Sequence, residues 1–167
     1  RKDNRWWYGG TFSQCGFNSE LILPSNLECI KGDAFQGCEG LYGELRLPEK
    51  LSVLGDYAFR GCKNLSGSLS IPQSLQKIPN NAFEYCGGMN AFAGCDFSGE
   101  LKLPSSLKSI GRKVFGDTDG DGSCWRLMGI VEFPEGMQSI GEQAFCNCRS
   151  LEGLVFPESM ETIQTSA

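Results

Sequence analysis

The sequence predicts a solenoid: a β-rich, right-handed coil of about six turns, with short parallel strands and short helical or 3-10 corners. Three observations carry that expectation. A proline closing an L-x-L-P motif recurs as Pro24, Pro48, Pro72, Pro104, Pro134 and Pro157, at spacings of 24, 24, 32, 30 and 23 residues. The same places around each proline are apolar. A corner motif, A-F-x-x-C, follows in most copies. A period in this range marks units that cannot bury their apolar face alone and so stack on their neighbours.

Each element follows from the pattern. Three residues before the proline stand Leu21, Leu45, Leu69, Leu101, Val131 and Leu154; one before it stand Leu23, Leu47, Ile71, Leu103, Phe133 and Phe156. That period of two points both side chains to one face of a short strand. Proline ends the strand because it has no N–H to give to a ladder. Leu27, Leu51, Leu75, Leu107, Met137 and Met160 come three after it, and Ile30, Leu54, Ile78, Ile110, Ile140 and Ile163 six after it, as a second extended piece. Phe35, Phe59, Phe83, Phe115 and Phe145 come eleven after it, in a corner read as a short helical turn. Gly43, Gly67, Gly99, Gly129 and Gly153 precede the next strand, where a sharp bend favours positive φ. The repeats start near residues 21, 45, 69, 101, 131 and 154, so the chain divides into an N-terminal cap or degenerate half-repeat over 1–20 and repeats over 21–167. The half-repeat contains Phe12 and Cys15 at the corner spacing. Stability is expected to be spread along the stack, since one turn alone cannot offset its ordering entropy.

The stretches LRLPEKLSVLGDYAFRGCKNLSG, LKLPSSLKSIGRKVF and VEFPEGMQSIGEQAFCNCRSLEG resemble the BspA-like, or Treponema pallidum-type, leucine-rich repeats, over about residues 11–167. The resemblance implies a leucine-rich-repeat solenoid that binds or scaffolds, and it brings no catalytic residues. Such repeats occur in bacterial surface proteins and in many protist and algal proteins.

Composition narrows the function classes. A net charge of −5 with 40% hydrophobic residues is ordinary for a folded domain and argues against a phosphate-backbone partner, which needs a basic face. No apolar run reaches the length of a membrane span, so membrane association would be peripheral and through a partner. Histidine is absent, which removes Ser-His-Asp and Cys-His nucleophilic systems and His-containing zinc sites. The sequence opens on Arg1 rather than Met, as expected of a processed chain or a fragment, and stops at Ala167 one residue before the next expected phenylalanine. That predicts either a longer chain or another chain over the open end.

Two consecutive turns are overlong, through insertions at Gly87–Gly94 and Gly116–Ser123, both after the corner phenylalanine. Stacking places them side by side on one edge, and solenoid insertions often form a binding face. The second holds Asp117, Asp119 and Asp121 with Gly122, a D-x-D-x-D-G that suits the hard oxygen ligation of calcium. The twelfth position from Asp117 is Met128 where an EF-hand has a bidentate Glu, so this is no EF-hand. Backbone carbonyls or Glu132 would complete a calcium site; the plainer reading is a solvated acidic turn.

Of nine cysteines, Cys15, Cys38, Cys62, Cys86, Cys95, Cys124 and Cys148 hold the corner place and read as a buried core ladder. Cys29 and Cys146 fall outside the register and are the candidates for a disulfide or a reactive thiol. Trp6, Trp7 and Tyr8 read either as a cap over the first turn or as a docking patch for a partner or a membrane interface. Trp125 is the other candidate contact aromatic, or covers the gap beneath its insertion. The outward row between the apolar strand positions is Ile22, Arg46, Ser70, Lys102, Glu132 and Val155, with no carboxylate pair, phosphate loop or basic stripe.

The function these features predict is a non-catalytic protein–protein interaction scaffold, needing no cofactor. Two settings fit it: a structural or accessory subunit docked on a larger assembly, an algal plastid being one such place, or a secreted or cell-surface adhesin-like module, with calcium dependence through the aspartate loop.

Overall fold

Each turn of the chain begins the same way. In the computed structural model, which describes residues 10–67, 69–83, 101–115, 127–146 and 148–167, the residue three after every repeat proline donates its N–H to that proline's carbonyl, at 2.9–3.1 Å, from Leu27 on Pro24 to Met160 on Pro157. Proline presets its own φ and closes the strand before it, so the backbone reverses at the same point six times.

Among the described residues thirteen short strands follow in chain order: β1 (Ser19–Glu20), β2 (Cys29–Ile30), β3 (Leu41–Glu44), β4 (Val53–Leu54), β5 (Asn64–Ser66), β6 (Leu69–Ser70), β7 (Lys77–Ile78), β8 (Leu101–Lys102), β9 (Ser109–Ile110), β10 (Gly129–Glu132), β11 (Ser139–Ile140), β12 (Leu151–Val155) and β13 (Thr162–Ile163). Every pairing is parallel, as successive turns of a coil require. They form two walls. One lies before the proline: β1–β3–β5, β6–β8 and β10–β12. The other lies after it: β2–β4 and the four-stranded β7–β9–β11–β13.

The second wall is the more regular, with one two-residue strand per turn at the same place. Its glycine-bearing position, seven after the proline, sends its N–H back to the isoleucine carbonyl of the turn before: Gly111 to Ile78, Gly141 to Ile110 and Gln164 to Ile140, at 2.7–3.0 Å. The wall is interrupted between β4 and β7, and the sequence supplies the reason. In that turn the position is Pro79, which has no N–H, so the Leu54 carbonyl lacks the bond its counterparts receive.

The corner departs from the helical turn the sequence predicts. Among the described residues it is a series of separate i→i+3 turns, such as Gln36 to Asp33 and Cys38 to Phe35. A helix is prevented by a left-handed residue nine after each proline: Asp33, Tyr57, Asn81, Lys113, Gln143 and Ser166 all have φ between 50° and 60°. Such a conformation costs a side-chain-bearing residue about 1–2 kcal/mol. Here it turns alternate N–H groups outward along the stack. Asp33 donates to Asp56, Tyr57 to Asn80, Asn81 to Arg112 and Lys113 to Glu142, at 2.8–3.1 Å. Bonds between turns thus replace the bonds a helix would make within one.

The interior is laid down in columns. The apolar positions of the middle turns are buried as the period predicts, including Leu45, Leu69, Leu101 and Val131 in one column and Ile30, Leu54, Ile78, Ile110 and Ile140 in another. The equivalents in the last turn, Leu154, Phe156 and Ile163, are exposed because they have a neighbour on one side only. Phe12, Phe35, Phe59, Phe83, Phe115 and Phe145 form a continuous pile with ring centroids 5.2–5.9 Å apart. Of the bend glycines, Gly43, Gly67 and Gly129 take positive φ as expected. Gly153 does not; it pairs with Ile130 in the ladder.

Turn-to-turn approach is closest where the second wall bends. A Cβ on Gly141 would stand 2.5 Å from the Gly111 carbonyl carbon and 2.6 Å from the Arg112 nitrogen, backbone that cannot move aside. Gly141→Ala is therefore expected to lower unfolding stability by about 1–3 kcal/mol, the scale of core overpacking. Gly16, with nothing within 4 Å of its Cβ position, gives the control: Gly16→Ala should stay within about 0.5 kcal/mol. Urea denaturation of the two variants checks the pair.

Candidate binding surface

The strands that place the core inward place every second side chain outward. Ile22, Arg46, Ser70, Lys102, Glu132 and Val155 are all exposed, as the period predicts, and form one outward row on the first wall. A second outward row runs beside it, with Glu20 opposite Tyr42, Tyr42 opposite Asn64, and Ile130 opposite Gly153. None of these side chains is needed by the core, so this wall is free to carry recognition.

Its two ends differ. Toward the N-terminus the row begins on Ile22, 85% exposed, and the charges that follow it find partners. An Arg46 Nη lies 2.8 Å from a Glu44 carboxylate oxygen, and Lys63 Nζ lies 2.7 Å from Glu39. Both pairs are exposed and add little stability, but they neutralise the surface locally. Toward the C-terminus the row turns apolar. Met128, Ile130 and Val155 are 47%, 55% and 52% exposed, with Glu132 directly opposite Val155. Between Gly129 and Ile130 the register slips, so β12 carries an extra residue, Glu152, at a bulge. A bulge breaks the ladder locally and re-aims the side chain. The outward apolar set was missed by a reading confined to one row. Its signal was present in the alternation M-G-I-V-E-F, in which Met128 and Ile130 share a side with Glu132.

Of the sites singled out from sequence, Trp6, Trp7, Tyr8, Trp125 and the calcium candidates Asp117, Asp119 and Asp121 all fall outside the described residues, as do both insertions. Phe83 and Phe115, the corner residues before the insertions in sequence, stack at 5.9 Å on adjacent turns. Among the described residues no group of three or more acidic or cysteine side chains is arranged to hold a metal ion, and no helix is long and apolar enough to cross a membrane.

The cysteine ladder is buried as the period predicts only in its middle: Cys15 and Cys148 are half-buried toward the two ends, and Cys86, Cys95 and Cys124 lie outside the described residues. Cys38 and Cys62 are buried, and each thiol donates to the phenylalanine carbonyl of the preceding turn: Cys38 to Phe12 at 2.8 Å and Cys62 to Phe35 at 3.0 Å. Cys148 makes the same contact to Phe115 at 3.7 Å. Burial pushes the Cys62 thiol up to about 12, and the Cys38 thiol also upward, so neither is a nucleophile at neutral pH. Cys29 and Cys146, the two outside the register, are half-buried free thiols, not a disulfide. On the corner edge Asp33 is raised by burial, against the pull of the Arg60 guanidinium and with a push from the Asp56 carboxylate. Arg60 also sits over the Tyr57 ring at 5.7 Å.

Comparison with known proteins adds the family. The model of the BspA type leucine-rich repeat region matches in six copies, over residues 8–90 and 122–167. A leucine-rich repeat protein from Bacteroides ovatus ATCC 8483 is similar in structure, with a TM-score of 0.61 and 30% identity over 83% of this chain and 31% of that one. The T. pallidum leucine-rich repeat protein gives a TM-score of 0.60 and 25% identity over 83% of this chain and 70% of its own. The chain thus spans about a third of the length of the Bacteroides protein. No curated protein matches the chain.

The thiol geometry makes a prediction in two parts. In the native protein Cys29 and Cys146 should react with iodoacetamide while Cys38 and Cys62 do not, read by site-resolved mass spectrometry. The raised Cys62 thiol stabilises the fold while it stays protonated in both states. Above an unfolded thiol pKa of about 8.5–9 the unfolded chain ionises first, so stability should fall as pH rises from there toward about 12. The slope is on the order of 1 kcal/mol per pH unit, and Cys62→Ala should flatten it in urea titrations at pH 8 and 10.

Proposed function

The chain belongs to the BspA-type leucine-rich repeat family, and from that premise we propose that it is a non-catalytic protein-binding scaffold, a structural or accessory subunit docked on a larger assembly through its outward strand face. Repeats of this family serve typically as binding modules. The observation that carries the reading is the division of labour along each turn. The inward positions are consumed by continuous columns, while the outward row is exposed in all six turns on a wall of parallel strands. That wall offers a broad, shallow surface suited to another protein rather than a pocket suited to a small substrate.

Cross-linking tests this on the protein at its native abundance. Lysine-reactive cross-linking in the source material should join a stable partner to Lys102 on the outward row. A monomer with no cross-linked partner, or links confined to the opposite wall at Lys77 and Lys108, would remove the proposal.

A second reading concerns the aspartate-bearing insertion. Its D-x-D-x-D-G order, three carboxylates at alternate positions with a glycine for the turn, suits hard oxygen ligation and supports a calcium-dependent adhesin-like contact through Asp117, Asp119 and Asp121. Calorimetry decides it: calcium should release heat with the wild type and none with Asp119→Asn, and a silent wild type ends the idea.

A further inference from the structure

Net charge and apolar exposure coincide at one end of the outward wall. Residues 1–126 hold fourteen Lys and Arg against fourteen Asp and Glu, so the chain's net −5 resides wholly in 127–167, where six glutamates face Arg149 alone. The same stretch carries the outward apolar set Met128, Ile130 and Val155. The arrangement is ordered by the ladder. Ile130 lies opposite Gly153, whose missing side chain leaves the isoleucine uncovered, and Val155 lies opposite Glu132. Glu152, displaced by the bulge, stands between Met128 and Ile130 in the register. Three residues separate Glu152 from Val155, and so from the Glu132 beside it. At about 3.3 Å per residue the two glutamates stand on either side of Ile130, with backbones roughly 10 Å apart along the strand.

Both glutamates are exposed, and neither makes an ion pair among the described residues. Contrast the second turn, where Glu44 is already held by Arg46. Carboxylates on either side of the exposed Ile130, with Met128 and Val155 beside them, are the complement of a segment with apolar side chains between cations. The carboxylates would set the orientation and the rate of encounter, and the buried apolar contacts the affinity. We infer that the outward face of β10 and β12 docks a partner protein through a segment whose apolar side chains are flanked by lysine or arginine; this rests on the protein-binding reading of the stack and names the partner's chemistry.

The test uses the full chain and a labelled synthetic peptide, K-K-V-L-V-K-K, followed by fluorescence anisotropy. Saturable binding is expected, weakened roughly tenfold by Ile130→Ser and by the pair Glu132→Gln with Glu152→Gln, and weakened further as salt is raised. These residues are exposed, so the melting temperature of each variant should match the wild type, which separates lost binding from lost fold. Equal binding of K-K-S-N-S-K-K would show unspecific charge attraction and overturn the inference, as would no binding of either peptide. Sedimentation supplies a third outcome. Residues 1–8, RKDNRWWY, carry cations beside aromatics, so a wild-type dimer abolished by Ile130→Ser would make a second copy the occupant and overturn the foreign partner. A peptide that fails to bind while a partner still cross-links to Lys102 would remove this site and leave the scaffold standing.

Discussion

The phenylalanine pile ties the turns together at one corner, and its rings conform to the distance that the parallel strands set between turns. Parallel strands lie about 4.8 Å apart, whereas the ring centroids lie 5.2–5.9 Å apart, with Phe35 and Phe59 inclined by only 2°. The rings meet that mismatch by sliding into offset stacks, the arrangement their quadrupoles favour over a face-to-face sandwich. Phe35 is also bonded twice to the turn that follows it. Its N–H reaches the Ala58 carbonyl at 2.8 Å, and its own carbonyl receives the Cys62 thiol at 3.0 Å. Glycine at the wall bend lets the Gly141 backbone lie against Gly111.

A stack tied at its corner tolerates disorder in its period. Thirty-two residues separate Pro72 from Pro104, yet Lys77 pairs with Ser109 and Ile78 with Ile110 in the ordinary register. Loop closure explains why the extra length is affordable: doubling a loop costs only about 0.6 kcal/mol, less than the burial of one phenylalanine at roughly 1.5–3 kcal/mol. The same comparison covers Pro79. Losing one ladder bond forfeits about 1 kcal/mol, while Phe59 on Phe83 and the Tyr57 bond to Asn80 hold the two turns together beside the gap.

The sequence discloses this fold to an unequal depth. Columns were legible because burial depends on side-chain type at fixed spacing, and Leu51, Ile78, Phe59 and Met137 are buried where the period puts them. The corner conformation was not. The left-handed position is occupied in turn by Asp33, Tyr57, Asn81, Lys113, Gln143 and Ser166, a set with no common chemistry, because the demand comes from bonds to the next turn and not from the residue itself. The interrupted wall at Pro79 was readable in principle, since proline stands where other turns have glycine, but only once the direction of that N–H was known. The bulge at Glu152 was hidden for the same reason: register is a property of two strands, and the period describes one. The aspartate loop and the aromatic head were the clearest departures from the repeat, and they lie outside the described residues. The exposed Ile130 and Val155, which fit the repeat, became visible as a surface only when β10 and β12 were set side by side.

Recognition and stability therefore occupy different atoms of the same turn. The bonds between turns are made by backbone groups, by thiols aimed inward and by bend side chains such as Ser106 on Leu75 and Asn80 under Arg112, and the apolar columns use the inward side chains, so the outward row on the first wall can change without altering what holds the stack. Arg46, Ser70, Lys102, Glu132 and Val155 share one geometry and no chemistry, which is what a position released from packing should show. A charge pattern on such a row is then informative in a way it would not be in a core. Nothing in the fold requires the whole net charge to gather on residues 127–167, nor requires isoleucine rather than a polar residue at 130. In water, exposing Ile130, Met128 and Val155 together gains the isolated chain nothing, because apolar area left outside returns none of the roughly 25 cal/mol per Å² that burial would give. The gain would appear when that area is covered, and Glu132 and Glu152, which make no ion pair among the described residues, would favour a positively charged cover.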